Sequence, residues 1–302
     1  MTESNIKVTL GICVKNSEST IKDAIESVLS QDYPYKLMEI IVVDGCSQDN
    51  TLKIIKSKLE EANVKVRYFS ENEGVALARQ IVVENAIGDY IVWVDGDIVI
   101  SKNFITKHVE FMEQHPSVGI AKGRYIAFLD PKNVSLVAKL ENIEFLLETA
   151  SEVKPIFKSL GASGCIYRVK AIRQIGGFDP QIKHGGEDTD VETRIRERGW
   201  SFCISPAFFW ETRRQNWKSL WNEYFWHGGS GPYLLKKNRR VYSFYKMFPP
   251  TAVLAELFRV PAAYKLTRQV SVLFLPFHYI FKRIALFFGF LKSFLEKSDS
   301  RQ

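Results

Sequence analysis

"DYIVWVDGDIVI", residues 89–100, sets the fold of this chain. Tyr90, Ile91, Val92, Trp93 and Val94 form a continuous apolar run of the kind that fills a buried strand, and the run ends on Asp95 and Asp97 with Gly96 between them. A strand that is apolar on both faces belongs in a parallel sheet covered on both sides. Two carboxylates within one turn of backbone repel each other, and a divalent cation turns that repulsion into coordination. Hard oxygen donors suit Mg2+ or Mn2+, which take few protein carboxylates and complete their shells with water and phosphate oxygens. The stretch therefore predicts a buried central strand that delivers a metal and a diphosphate to its carboxyl end.

The residues before this stretch repeat the same pattern. "KVTLGICV" (7–14), "MEIIVVD" (38–44) and "VKVRYFS" (64–70) read as strands, each followed by a segment with apolar residues at helical spacing. The first such helix places Ile21, Ala24, Ile25, Val28 and Leu29 on one face. The second begins at Asp49 or Asn50 as N-cap. The third runs from Gly74 toward Ile87. Alternating strands and helices define an α/β sheet, Rossmann-like and mostly parallel, in which ligands bind beyond the carboxyl ends of the strands. Val14 and Asn16, Asp44, Asn72 and Glu73, and Asp95 and Asp97 all fall at those ends. No GxGxxG or GxxxxGK[ST] follows any of the strands, so a dinucleotide site and a P-loop are not expected.

At 302 residues, with 46% apolar and 25% charged side chains, the chain has the composition of a globular protein, enriched in aromatics at 13%. The opening residues lack a basic segment followed by an apolar one, so a cytoplasmic location is expected. Cys13, Cys46, Cys165 and Cys203 lack CxxC spacing and are expected as buried thiols. The net charge of +7 is uneven, because residues 232–302 hold 13 Lys and Arg against 3 Asp and Glu.

Four motifs in order resemble the inverting, GT-A fold glycosyltransferases of family 2. "VTLGICVKNSESTIKDAIESVLSQ" matches the opening strand and polar turn, and "VVDGCSQD" the V-V-D-D-G-S-x-D pattern. "NEGVALARQIVVENAIGDYIVWVDGD" matches N-x-G-x-x-x-A-R-N followed by the DxD strand, and "GGFDPQIKHGGEDTDVETRIRERGW" the G-G-F-D turn and the E-D pair. The resemblance covers about residues 7–230. It implies that Asp44 reads the nucleotide base, that Arg79 lies near the nucleotide, that Asp95 contacts ribose or metal-bound water, and that Asp97 ligates the metal. It also implies Asp188 as catalytic base, with Glu187 as an orienting carboxylate, and Glu211 where relatives carry a third metal ligand. Val14 and Asn16 join the nucleotide-sugar set, and Arg213 and Arg214 form a phosphate clamp. Two departures from the pattern fall at Gly45–Cys46 and Gln80.

Glu187, Asp188 and Asp190 open a helix, where acids also serve simply to complement the helix dipole. Trp217, Trp221 and Trp226 share a helix face, read as packing more than as sugar stacking. From about residue 242 the chain turns apolar and aromatic, but its longest uncharged run, Val270–Phe281, falls short of a bilayer span before Lys282 and Arg283. That pattern predicts helices lying in a membrane interface, with basic side chains toward anionic lipid.

The expected organisation is a catalytic domain over 1–230 and a basic helical region over 231–302. The expected activity is inverting, metal-dependent sugar transfer from a nucleotide-diphosphate sugar, at the cytoplasmic membrane face, to a lipid-linked or glycan acceptor. No nucleic-acid partner is expected. The alternatives are a sugar-phosphate nucleotidyltransferase, whose glycine-rich basic loop after the first strand is missing from "CVKNSEST", and a non-catalytic membrane-binding protein.

Overall fold

The computed structural model describes residues 6–126, 134–149, 159–238 and 249–299. The chain forms two units. One comprises Met1–Ile126, Ser151–Gln181 and Glu187–Thr212; the other comprises Ala127–Ala150, Ile182–Gly186 and Arg213–Gln302.

In the first unit, the described residues build one sheet of eight strands: β1 (Val8–Val14), β2 (Met38–Asp44), β3 (Lys65–Ser70), β4 (Tyr90–Trp93), β5 (Ile98–Ile100), β6 (Val118–Tyr125), β7 (Cys165–Arg168) and β8 (Ser201–Glu211). Their order is β3-β2-β1-β4-β7-β6-β8-β5. The first four strands are parallel to one another, as the alternating pattern predicts. Beyond β4 the sheet is mixed: β7 is antiparallel to both β4 and β6, β8 is parallel to β6, and β5 is antiparallel to β8.

The helices of this unit are α1 (Ile21–Leu29), α2 (Thr51–Leu59), α3 (Val75–Asn85), α4 (Phe104–Gln114), α6 (Val169–Gln174) and α7 (Glu187–Glu197). Helix α1 buries Ile21, Ala24, Ile25 and Val28, the face its spacing marks. At α2, Asn50 occupies the N-cap position, but Asp49 does the capping: its Oδ1 accepts from the Thr51 N–H and hydroxyl at 3.0 and 2.5 Å. The core centres on Trp93, whose ring meets Tyr167 and Phe178 edge-on. Gly11, paired with Trp93 across the β1–β4 ladder, is what admits that indole, since a Cβ there would stand 2.7 Å from the ring.

Register brings the site together. Val14 pairs with Asp44, Asp44 pairs with Ser70, and Gly11 pairs with Trp93, so the carboxyl ends of β1 to β4 finish on one rim. Gly96 lies against Val14 and Ser17, where a Cβ would come within 2.8 Å of Ser17 Oγ. This close approach folds Asp95-Gly96-Asp97 over the end of β1.

The second unit is helical where described: α5 (Leu136–Thr149), α8 (Trp217–Gly228), α9 (Gly231–Lys237), α10 (Pro249–Thr267) and α11 (Leu275–Asp299), with a 3-10 segment, Val270–Phe274, before α11. Leu140, Ile143, Ala263, Val272 and Leu275 form its core. Helices α8 and α11 touch backbone to backbone, with Gly228 against Leu286 and Gly289 against Phe225. The apolar residues predicted at 242–248 lie outside the described residues. Among the described residues the four cysteines are free thiols; Cys165 and Cys203 are buried as expected, but Cys13 is half-buried and Cys46 exposed, because Cys46 sits in the polar turn after β2.

Candidate active site

The turn after β2 is built by Asp44. Its two carboxylate oxygens accept from the Ser47 hydroxyl at 2.6 Å and the Ser47 N–H at 3.1 Å. Asn16, after β1, docks on the same turn: its N–H donates to Ser47 Oγ at 3.0 Å and its Oδ1 accepts from the Gln48 N–H at 2.8 Å. Asn16 and Cys46 both take left-handed backbone, at φ 50° and 56°. For Asn that conformation is tolerated, whereas a Cβ of cysteine type makes it costly. Cys46 thus stands at the departure from the family pattern noted above, where glycine would relieve the strain.

Arg79 organises the centre. From α3 its guanidinium donates to Glu187 Oε1 and, at 3.3 Å, to both oxygens of Asp95. The residue is 5% exposed and lies over the Trp93 ring. Burial opposes its charge, yet Asp95 and Glu187 hold the guanidinium above its ordinary range. Burial, and then the charge of Asp188, push the Glu187 carboxyl up to about 7 against the pull of Arg79. Arg79 is thus an internal clamp that ties the amino end of α7 to the Asp95 turn, a role the sequence alone does not display.

Asp188, second residue of α7, accepts from the Thr189 N–H at 2.6 Å through Oδ1, and its Oδ2 faces Gly161. The Ser159–Gly164 turn spans the distance between the acids. Its Ser163 hydroxyl donates to Asp95 Oδ2, and the ammonium of Lys122, buried on β6, donates to the Leu160 carbonyl.

Asp95, Asp97 and Glu211 are carboxylates that offer oxygen donors near this turn. Asp97 directly precedes β5, its carbonyl accepts from the Thr212 N–H at 2.9 Å, and Ile98 pairs with Glu211, the last residue of β8. The β5–β8 ladder therefore brings Glu211 to within one rung of Asp97. These carboxylates and Asp95 are chemically fit for Mg2+ or Mn2+. They do not converge as three protein ligands; among the described residues the His, Asp and Glu trio whose ligand atoms all lie within 4.8 Å is Glu141, Glu144 and His278, in the second unit. A Mg2+ or Mn2+ site of few protein ligands, completed by phosphate and water, fits this looser set.

In the second unit Arg213 is buried with its guanidinium 3.5 Å from the Phe145 ring centroid, and Arg214 Nε donates to Glu223 at 2.8 Å. Trp217 packs on Phe277 and Phe281, and Trp221 on Phe281 and Phe288, which makes them packing residues; Trp226 does not share their face as expected, because nine residues beyond Trp217 is half a turn round the helix, and it is exposed and edge-on to His184. Lys282 corrects a sequence expectation. It is 4% exposed and does not face outward; its ammonium donates to Glu144 and, at 2.8 Å, to Glu141, both from α5. His278 lies 3.2 Å from Glu144 and 3.3 Å from Glu141. Burial opposes ionisation of Glu144, but Lys282 and then His278 hold its carboxyl down at about 2.

The acids gathered beyond the parallel strands, with the amino end of α7 clamped by Arg79 to the Asp95 turn, form a carboxylate-lined site at one rim of an α/β sheet. Residues 9–176 match the model of glycosyl transferase family 2, and the chain belongs to that family. It is 31% identical over 217 residues to the poly(ribitol-phosphate) beta-N-acetylglucosaminyltransferase TarS of Staphylococcus aureus, covering 70% of this chain and 36% of that protein. The chain thus spans little more than a third of that relative. Among solved structures, the mannosyltransferase PcManGT of Pyrobaculum calidifontis, in complex with GDP-Man and Mn2+, superposes with TM-score 0.64 at 19% identity over 96% of this chain and 88% of that one. TarS residues 1–349 in complex with UDP superpose with TM-score 0.52 at 16% identity, covering 98% and 92%. These likenesses establish the GT-A fold.

Proposed function

We propose that this chain transfers a sugar from a nucleotide-diphosphate sugar to a hydroxyl or phosphate acceptor, with inversion at the anomeric carbon. The observation that carries the reading is the Arg79 clamp, which holds the E-D end of α7 beside the Asp95 turn. Asp188 takes the proton from the acceptor, an assistance worth about 10²- to 10⁴-fold in rate. Glu187, sharing the amino end of α7, orients the acceptor. Val14, Asn16, Asp44, Arg79 and Asp95 form the nucleotide-sugar side, and Arg213 and Arg214 serve as phosphate-binding cations. Asp97 and Asp95, with Glu211, would hold Mn2+ or Mg2+. Such a cation supplies Lewis-acid neutralisation of the departing diphosphate. The GDP-Man and Mn2+ of PcManGT and the UDP of TarS support a donor and cofactor of this kind.

Residues 231–302 act in this reading as a region that lies on the cytoplasmic face of the membrane and presents lipid-linked acceptor. Val270–Glu296 is long and apolar enough to cross a bilayer by length and composition, and 28% of its apolar window is buried. Val270, Leu273, Phe274, Phe277, Phe288, Phe294 and Leu295 are exposed. The opposite side of α11 carries His278 and Lys282, buried against the glutamates of α5. A helix with one apolar face outward and an ion-paired face inward lies in the interface, where Lys265, Arg268 and Lys292 reach anionic headgroups.

Titration of UDP, GDP and their sugars with and without Mn2+, followed by transfer of labelled donor into membrane lipid extracts, tests the reading. Metal-dependent binding with label in a lipid product is expected. Binding of neither nucleotide under any metal condition would refute it.

A further inference from the structure

Glu192 lies one helical turn beyond Asp188 on α7, so the two acids share a helix face. A glutamate so placed ordinarily extends into solvent; this one is 2% exposed. Both of its carboxylate oxygens accept from the Leu160 N–H at 3.0 Å, and Oε1 also accepts from the Gly161 N–H at 2.8 Å. Two consecutive amides point at one carboxylate because Gly161 takes φ 69°, a conformation glycine reaches without cost. The far side of the same glycine faces the proposed base: a Cβ at Gly161 would stand 3.4 Å from Asp188 Oδ2 and 3.7 Å from Lys122 Nζ. Other groups of the turn are also engaged. Cys165 Sγ donates to the Gly161 carbonyl at 2.9 Å, the Gly164 N–H donates to the Trp93 carbonyl at 3.2 Å, and Ser163 reaches Asp95.

We infer that Glu192 is a positioning residue: as a carboxylate it holds the Ser159–Gly164 turn in the shape that fixes the surroundings of Asp188 Oδ2 and keeps Ser163 on Asp95. The inference rests on the reading of Asp188 as the base. Glu192 is too buried to touch a substrate and acts through the turn. The groups facing it are Asp188 and Arg196 from α7, the Ser159 hydroxyl and the two amides, Lys122 from β6, and Cys165 and Tyr167 from β7. Burial, and then the charge of Asp188, push its carboxyl up to about 7. As pH falls through that value Glu192 takes up a proton, its charge-assisted bonds to the two amides weaken, and the turn loosens.

The test uses the full chain and its Glu192→Gln and Gly161→Ala variants. Readouts are hydrogen exchange at Leu160 and Gly161 between pH 6 and 8, kcat and donor KM in the transfer assay, and binding of UDP and GDP with Mn2+. In E192Q, exchange at the two amides should rise about tenfold, and kcat should fall on the order of 10- to 100-fold with donor KM nearly unchanged, the range set by a charge-assisted bond. The wild type should show exchange protection that strengthens from pH 6 to 8, a change absent from E192Q. Gly161→Ala, with Glu192 intact, should lower kcat to a similar extent by displacing the turn. Unchanged exchange in E192Q, or an E192Q defect confined to KM, would overturn the inference. Nucleotide binding without transfer by the wild type would instead remove Asp188 from its role, and the inference with it.

Discussion

Replacing Arg79 by Met removes the cation that Glu187 and Asp95 share while keeping an unbranched apolar side chain over Trp93. At 3.3 Å and an effective dielectric of about 20, the Arg79–Asp95 attraction alone is about 5 kcal/mol gross. Desolvation of the guanidinium cancels much of it, and Asp95, whose side chain is 22% exposed, recovers some hydration when Arg79 is lost. The net loss expected at pH 8 is about 2–4 kcal/mol, in line with breaking one partner of a buried pair. The loss depends on pH in a definite direction. Glu187 has its pKa raised to about 7, so the folded state keeps a proton that the unfolded chain releases between its ordinary value and about 7; its contribution to stability declines as pH rises through that window. Without Arg79 the carboxyl is held higher still and the decline continues to higher pH. At pH 5.5 Glu187 is protonated and needs no counterion, which leaves only the Asp95 pair and a loss of about 1–2 kcal/mol. Thermal midpoints of the two proteins at pH 5.5 and 8 measure this, with about 2–4 °C per kcal/mol for a domain of this size. Equal losses at both pH values, or a smaller loss at pH 8, would refute the clamp.

Other outcomes follow from single contacts. Asp188→Asn should cut transfer by about 10²-fold or more with nucleotide-sugar affinity retained, measured by calorimetry beside a turnover assay. Asp97→Ala should abolish stimulation by Mn2+; a variant that still responds to metal would contradict the ligand assignment. Cys46→Gly should hold or raise the urea midpoint, because it relieves left-handed backbone at φ 56°, whereas Cys46→Val should lower stability by about 1 kcal/mol or more. Lys282→Met should cost about 3–5 kcal/mol by leaving Glu141 and Glu144 buried without their ammonium, and adding Glu144→Gln should restore part of it.

The parallel half of the sheet was legible because β1, β2 and β4 are apolar on both faces and each helix carries its own spacing signal, whereas the edge strand β3 carries Lys65 and Arg67 and is only half-buried. Strand β6 was not: "VGIAKGRY" holds two glycines and a buried lysine, and it becomes a strand only because β7 and β8 pair with it on either side. The three-residue β5 is likewise defined by β8. The acids of the rim could be read from position and resemblance, but not the partners of Arg79, which depend on α3 and α7 meeting 108 residues apart. Glu192 and Lys282 escaped for a shared reason. A charged residue on a helix reads as solvated unless its counterpart is known, and the counterparts here are backbone amides of a distant turn and glutamates of α5.

The contact of Gly228 with Leu286 and of Gly289 with Phe225 leaves no room for even one methyl group between α8 and α11. Such a crossing is specified by what is missing from the sequence, so the flanking aromatics are free to exchange for one another while these two positions are not. Saturation mutagenesis of the helical unit should therefore find Gly228 on α8 and Gly289 on α11 as closed as the ion-paired Lys282, although neither glycine carries a functional group.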